Sequence, residues 1–192
     1  MSERQISKAV IRRLPRYRRY LKELEKKGVE NISSKDLSGL IGYGYSVTKL
    51  REEIGNILGL DKTYKMVVIG YGRLGQAIAS YVANNEPNFK IVGIFDVKQI
   101  IKEIHDVQFK DAQIMTCGSL SNFIKNEKVD IAVITVPAEK AQLVADTAVD
   151  AGIKGIWNLT AVDLDVPENV ALENVHMSDS LHALIYYMGD GE

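Results

Sequence analysis

The sequence has a single cysteine, Cys117, among 192 residues. No internal disulfide can form, and the chain fits a reducing cytosol. A lone thiol cannot build a metal cluster, and no His, Cys, Asp or Glu spacing supplies one. Packing or an incidental surface position accounts for Cys117. No apolar run approaches the roughly 18 residues of a membrane span. The opening residues, Met1 to Val10, lack the apolar stretch of a secretory signal. No nucleophile elbow and no substrate domain can be seen. With 46% hydrophobic and 26% charged residues, the composition excludes disorder, collagen-like repeats and low-complexity architecture. The expectation is a cytoplasmic globular chain with no membrane and no metal.

What is present divides unevenly. Residues 1–60 hold 13 Lys and Arg against 7 Asp and Glu, a balance of +6, whereas the whole chain carries −1. The remaining 132 residues therefore carry −7. A basic first third on an acidic remainder predicts two domains with different partners, and the basic one points towards nucleic acid. Charge alone fits a solvated helix face equally well.

Val10, Ile11, Leu14, Tyr17, Leu21 and Leu24 recur at helical steps, with Pro15 placing the main helix start beside it. Arg12, Arg13, Arg16, Arg18, Arg19 and Lys22 decorate this helix, and Gly28 closes it. Ser33, Ser34, Lys35 and Asp36 read as an N-cap before a short apolar helix from Leu37 to Ile41. Helix, turn and capped short helix, with basic residues in front, is how a winged-helix or helix-turn-helix unit begins. Gly42 to Tyr45 reads as a turn or extended stretch. Val47, Leu50, Ile54, Ile57 and Leu58 form another apolar stripe. Residues 59–63 read as a linker.

From Lys65 strands and helices alternate. Strands are expected at 66–69, 91–95, 112–116, 131–134 and 155–158, and helices at 74–82, 119–125 and 138–151. This is the grammar of an α/β protein with a doubly wound parallel sheet. Residues 178–188 form an apolar tail helix with Leu181, Leu184, Ile185 and Met188 on one side. A tail so hydrophobic must be covered by its own domain or by a partner chain. The boundaries expected are 1–61, 62–176 and 177–192.

Gly70-Tyr71-Gly72-Arg73-Leu74-Gly75 is a G-x-G-x-x-G between a buried strand and a helix. The first glycine allows the tight turn, the second admits a pyrophosphate, and the third lets helix and strand pack closely. Asp96 follows Gly75 by 21 residues at the end of the second strand, where an acid accepts hydrogen bonds from ribose hydroxyls. An acid there favours NAD(H) over a cofactor whose 2′-phosphate it would repel, and Val97 beside it is a further candidate cofactor contact. Coenzyme A is the competing ligand. Arg73 is as consistent with a solvated helix start as with a phosphate contact. Thr135-Val136-Pro137 ends the next strong strand at the crevice edge, and Asn158-Leu159-Thr160 ends the one after, on the nicotinamide side. His105 sits in a charged surface stretch. His176 and His182 flank the tail helix, where packing or interface roles suit them better than catalysis.

Three further segments carry a resemblance: Arg13 to Leu21 (RLPRYRRYL), Ile32 to Ser38 (ISSKDLS) and Gly44 to Val47. With the 70–75 loop, Thr135 to Ala138, Gly152 to Asn158, Val166 to Glu168 and Asn174 to His176, they run end to end. In these segments the chain resembles the bacterial redox-sensing repressor family Rex, most closely its clostridial type. The resemblance implies a homodimer with an N-terminal winged helix and a C-terminal Rossmann domain, the last helix being exchanged between subunits. It implies a non-enzymatic repressor that sits on a palindromic operator with NAD⁺ or no ligand and is released by NADH. Arg12, Arg13, Arg16, Ser33, Ser34 and Lys35 would then lie on the DNA side. The runner-up is a small NAD-dependent oxidoreductase, which NADH consumption with aldehydes or keto acids would reveal.

Two departures stand out. After Leu40-Ile41-Gly42 the family carries about twenty residues holding the recognition helix and wing; here Gly42 runs straight into Tyr43. Either the element is truly truncated, or it belongs to the protein and is missing from this string, which is the expectation. A break at or beside Gly42–Tyr43, with a Cα separation far above about 3.8 Å, would mark the second case. The glycines that many relatives carry after Asp96 are replaced by Ile100 to Ile104, which puts that loop's nicotinamide contacts in doubt.

Overall fold

A computed structural model describes residues 6–33, 44–97 and 112–189. The chain divides into two compact units, Met1–Lys62 and Thr63–Glu192.

In the first unit α1 (Lys8–Ile11) and α2 (Leu14–Lys26) are separate helices where the apolar stripe predicts one face. The cause is Pro15, whose ring conflicts with the carbonyl four residues back, that of Ile11, where α1 stops. Gly28, with φ +73°, ends the run beyond α2. β1 (Asn31–Ser33) pairs antiparallel with β2 (Gly44–Ser46). α3 (Val47–Ile57) follows directly, with the Ser46 side chain accepting from the Lys49 N–H at its start. Leu14, Leu21, Ile32, Val47 and Ile54 form this unit's core. Glu25 on α2 and Arg51 on α3 pair at 2.9 Å.

The short helix expected at 37–41 and the Gly42–Tyr43 junction lie outside the described residues, as do His105 and the 100–104 replacement. The break expected at that junction thus falls on residues outside the described ones.

The second unit is a six-stranded, wholly parallel sheet. Its strands are β3 (Tyr64–Ile69), β4 (Phe89–Asp96), β5 (Gln113–Thr116), β6 (Ile131–Ile134), β7 (Gly155–Asn158) and β8 (Ala171–Asn174). They lie in the order β5-β4-β3-β6-β7-β8. Counted from β3, that is the 3-2-1-4-5-6 order of the Rossmann fold. α4 (Arg73–Asn85) links β3 to β4, α5 (Leu120–Glu127) links β5 to β6, and α6 (Ala138–Asp150) links β6 to β7.

The pleat sends alternate residues of β3 to opposite faces. Val67 and Ile69 join Leu120, Phe123 and Ile124 of α5 and Ala141, Ala145 and Ala148 of α6 in one core. Met66 and Val68 join Ala79 and Val82 of α4 in the other. Both faces are buried, which is why β3 and β6 read as unbroken apolar runs. β8 has no counterpart among the strands expected from sequence. The last helix, α7 (Met177–Gly189), buries none of its residues.

Candidate cofactor site

The order of the strands reverses between β3 and β6, so their carboxyl ends open a crevice where ligands of such sheets bind. The 70–75 loop forms one wall. The Gly70 N–H donates to the Phe95 carbonyl at 2.8 Å. Thr135, at the end of β6, forms the other wall and clamps the first: its N–H donates to the Ile69 carbonyl at 2.9 Å. Its hydroxyl donates to the Gly70 carbonyl at 2.5 Å.

The three loop glycines sit in different surroundings. Gly70 has φ +93°, and a Cβ there would lie 2.8 Å from the Thr135 backbone. A Cβ on Gly75 would lie 2.0 Å from the Gly70 carbonyl oxygen, so α4 can approach β3 only with hydrogen at that position. Around Gly72 there is nothing within 4 Å of a Cβ position. That open space adjoins the start of α4, which has no side-chain cap and no acidic residue in its first turn. Uncapped helix N–H groups beside open space are what a pyrophosphate needs. Tyr71 is 6% exposed and packs in the α4-side core; burial pushes its phenol pKa up. Gly72 and Arg73 are exposed, and Leu74 is half-buried against that core.

Asp96 ends β4 beside the loop. One carboxylate oxygen accepts from the Tyr71 N–H. The other accepts from the Val97 N–H at 2.6 Å. Each oxygen retains a lone pair, so the carboxylate ties the loop to β4 and can still accept from a ribose hydroxyl. Cys117 lies close enough for the Asp96 charge to add to the effect of its own burial, and together they raise the thiol pKa. A thiol so shifted is a poor nucleophile near neutrality.

Val136 is half-buried, while Pro137, at the start of α6, and Val97 are exposed. The structure thus brings residues 70–75, 96–97 and 135–137 together around one crevice. Asn158, the last residue of β7, and Thr160, just beyond it, are 0% and 5% exposed and face inward, as does Leu159. The Asn158 amide donates to the Val162 carbonyl and the Asn174 side chain, and its oxygen accepts twice from Thr160. This internal network could not be read from spacing. A cavity of about 240 Å³ lined by Lys65, Lys90 and Glu127 lies at the opposite, amino end of the strands and is no part of the crevice.

In the first unit Arg12 and Arg13, in the turn between α1 and α2, and Arg16 in the first turn of α2 are all exposed. Ser33 closes β1. Ser34 and Lys35 lie outside the described residues. Among those residues no group of three or more His, Cys, Asp or Glu could hold a metal ion, and no helix is long and apolar enough to cross a membrane.

Residues 61–162 match the family model described as CoA binding domain, and residues 5–47 match that of a putative DNA-binding protein N-terminus. The redox-sensing transcriptional repressor Rex of Thermoanaerobacter sp. (strain X514) is 43% identical over 97% of this chain and 91% of its own length. The Rex repressor of Clostridioides difficile (strain 630) is 40% identical over all of both chains. That alignment spans 212 positions against 192 residues here, a difference of 20. This equals the length of the segment that the family resemblance leads one to expect after Gly42. Among solved structures, RSP, a Rex-family repressor, superposes with a TM-score of 0.88 at 43% identity, covering 96% of this chain and 95% of that one. RSP in complex with β-NAD⁺ and operator DNA superposes with a TM-score of 0.84 at 41% identity, covering 98% and 94%. Identity above 40% across nearly the whole of both chains, with a TM-score of 0.88, shows that this chain belongs to the Rex family of redox-sensing transcriptional repressors.

Proposed function

We propose that the chain is a cytoplasmic, non-enzymatic repressor that responds to the NADH/NAD⁺ ratio, working as a homodimer on palindromic operator DNA. The observation that carries the cofactor half is the open space at Gly72 beside the uncapped start of α4. In this reading Gly70, Gly72, Gly75 and the adjoining helix N–H groups hold the pyrophosphate, with Tyr71, Arg73 and Leu74 shaping the loop. Asp96 and Val97 meet the adenosine ribose, and Thr135, Val136 and Pro137 wall the crevice towards the nicotinamide. Asn158, Leu159 and Thr160 shape its far end. RSP structures bound to β-NADH and to β-NAD⁺ with operator DNA support the pairing of cofactor and operator. The exposed arginines of the first unit supply phosphate contacts, and the uncovered apolar face of α7 supplies the dimer contact.

Release by NADH is a population shift. NADH must bind the dimer that does not fit DNA better than the one that does, and operator DNA must weaken NADH binding by the same factor.

A second reading rests on the 20 positions by which this chain falls short of its relative. Ten residues connect Ser33 to Gly44, and a helix that enters the major groove needs about that many for itself, before any wing. In that reading the chain senses NADH and dimerises without reading an operator by itself. A gel shift on a palindromic operator decides between them. Retardation with NAD⁺ or no ligand, reversed by NADH, supports the repressor. NADH binding with no retardation in either state leaves the sensor and removes the operator.

A further inference from the structure

We propose that Asn158 and Asn174 are positioning residues that couple the cofactor crevice to the root of α7. The inference rests on the reading of the crevice as an NAD(H) site.

Asn158 is the last residue of β7 and is wholly buried. Its orientation is fixed by backbone partners. The Nδ2 group donates to the Val162 carbonyl at 2.7 Å, and Oδ1 accepts from the Thr160 N–H at 3.0 Å. The second Nδ2 hydrogen goes to Asn174 Oδ1 at 2.8 Å. The Thr160 hydroxyl donates to Asn158 Oδ1 at 2.7 Å. Both amide donors and both acceptor positions are thereby used, and none is left for a ligand. Asn158 shapes the crevice rather than lining it with a free amide.

The network has two ends. At one, the Leu159 N–H donates to the Ile134 carbonyl at 3.0 Å, one residue before Thr135 in the crevice wall. At the other, Asn174 is the last residue of β8, and the next N–H, that of Val175, donates to the Asn158 carbonyl at 2.9 Å. His176 follows, with Nε2 3.5 Å from Asp163 Oδ1 on the same 159–163 loop, a contact that becomes an ion pair when the imidazole is protonated. The His176 carbonyl accepts from the Asp179 N–H, inside the first turn of α7. Asn158, at which this loop begins, is thus fastened through Asn174 and Val175 to the segment from which α7 departs, with the His176–Asp163 contact beside it. A ligand that shifts the loop shifts that root, because buried amide bonds of this kind are costly to leave unmade.

The test uses the full chain with NADH as probe, and follows amide hydrogen exchange over residues 177–189. In the wild-type chain NADH changes exchange in that segment. Asn174→Ala removes the acceptor; it should bind NADH as the wild type does and lose the α7 response. Asn174→Asp keeps an oxygen to accept from Asn158 and should restore it. Should Asn174→Ala fail to fold, Asp163→Asn, which removes the exposed charge 3.5 Å from His176 Nε2, should reduce the response. Responses unchanged in these variants overturn the proposal, as does a wild-type chain that binds NADH without any change over 177–189. A wild-type chain that binds no NADH overturns instead the reading of the crevice on which the proposal stands.

Discussion

Gly72 and Gly75 are three residues apart, yet their substitution separates binding from folding. A valine at Gly72 enters open space, so its melting temperature should stay near that of the wild type while NADH affinity is lost to steric occupation of the pyrophosphate site. Any side chain at Gly75 meets the Gly70 carbonyl oxygen at 2.0 Å and should fail to fold or melt far lower. Thermal melts beside calorimetric NADH titrations check both; intact NADH binding in Gly72→Val would remove the pyrophosphate from that space. Asp96 joins the two effects. Asp96→Ala leaves the buried Tyr71 N–H unpaired and removes the ribose acceptor, so NADH affinity should fall by about 1–3 kcal/mol with some loss of stability. A loss of stability with unchanged affinity would make Asp96 a loop tie alone.

At the scale of elements, the apolar runs of β3 and β6 were legible because burial on both sheet faces leaves an unmixed signal. β8 was not. Ala171-Leu172-Glu173-Asn174 has a single strongly apolar residue and low strand propensity; pairing with Gly155–Asn158 makes it a strand. The glycine loop and Asp96 were legible from spacing, whereas the roles of Thr135 as clamp and Asn158 as hub depend on contacts between distant residues. Nothing local in the sequence marks them. The tail helix was legible as a helix needing cover. Leu181, Leu184, Ile185, Tyr186, Tyr187 and Met188 are 53–73% exposed, and covering such side chains contributes roughly 1.5–3 kcal/mol each. Deleting residues 178–192 should therefore yield a monomer or an aggregate in sedimentation; a well-behaved dimer from the truncated chain would place the pairing surface elsewhere.

For the whole molecule, the two units divide the labour the charge asymmetry announces: a basic helical unit ahead of an acidic sheet that carries the crevice. Their coupling is a single thermodynamic quantity. The factor by which saturating NADH weakens operator affinity should equal the factor by which saturating operator weakens NADH affinity, whatever structural route joins the sites. Fluorescence titrations run both ways check it; unequal factors would mean that more than one linked equilibrium is being measured.

In the proposed homodimer, the uncovered face of α7 also makes stability a matter of mass action. A chain that completes its apolar cover only by meeting another copy is stabilised in proportion to the logarithm of its own concentration. Its melting temperature should climb as the protein is concentrated, and dilution alone should loosen it. Abundance in the cell then becomes a second input beside the cofactor, since a scarce sensor is a partly dissociated one.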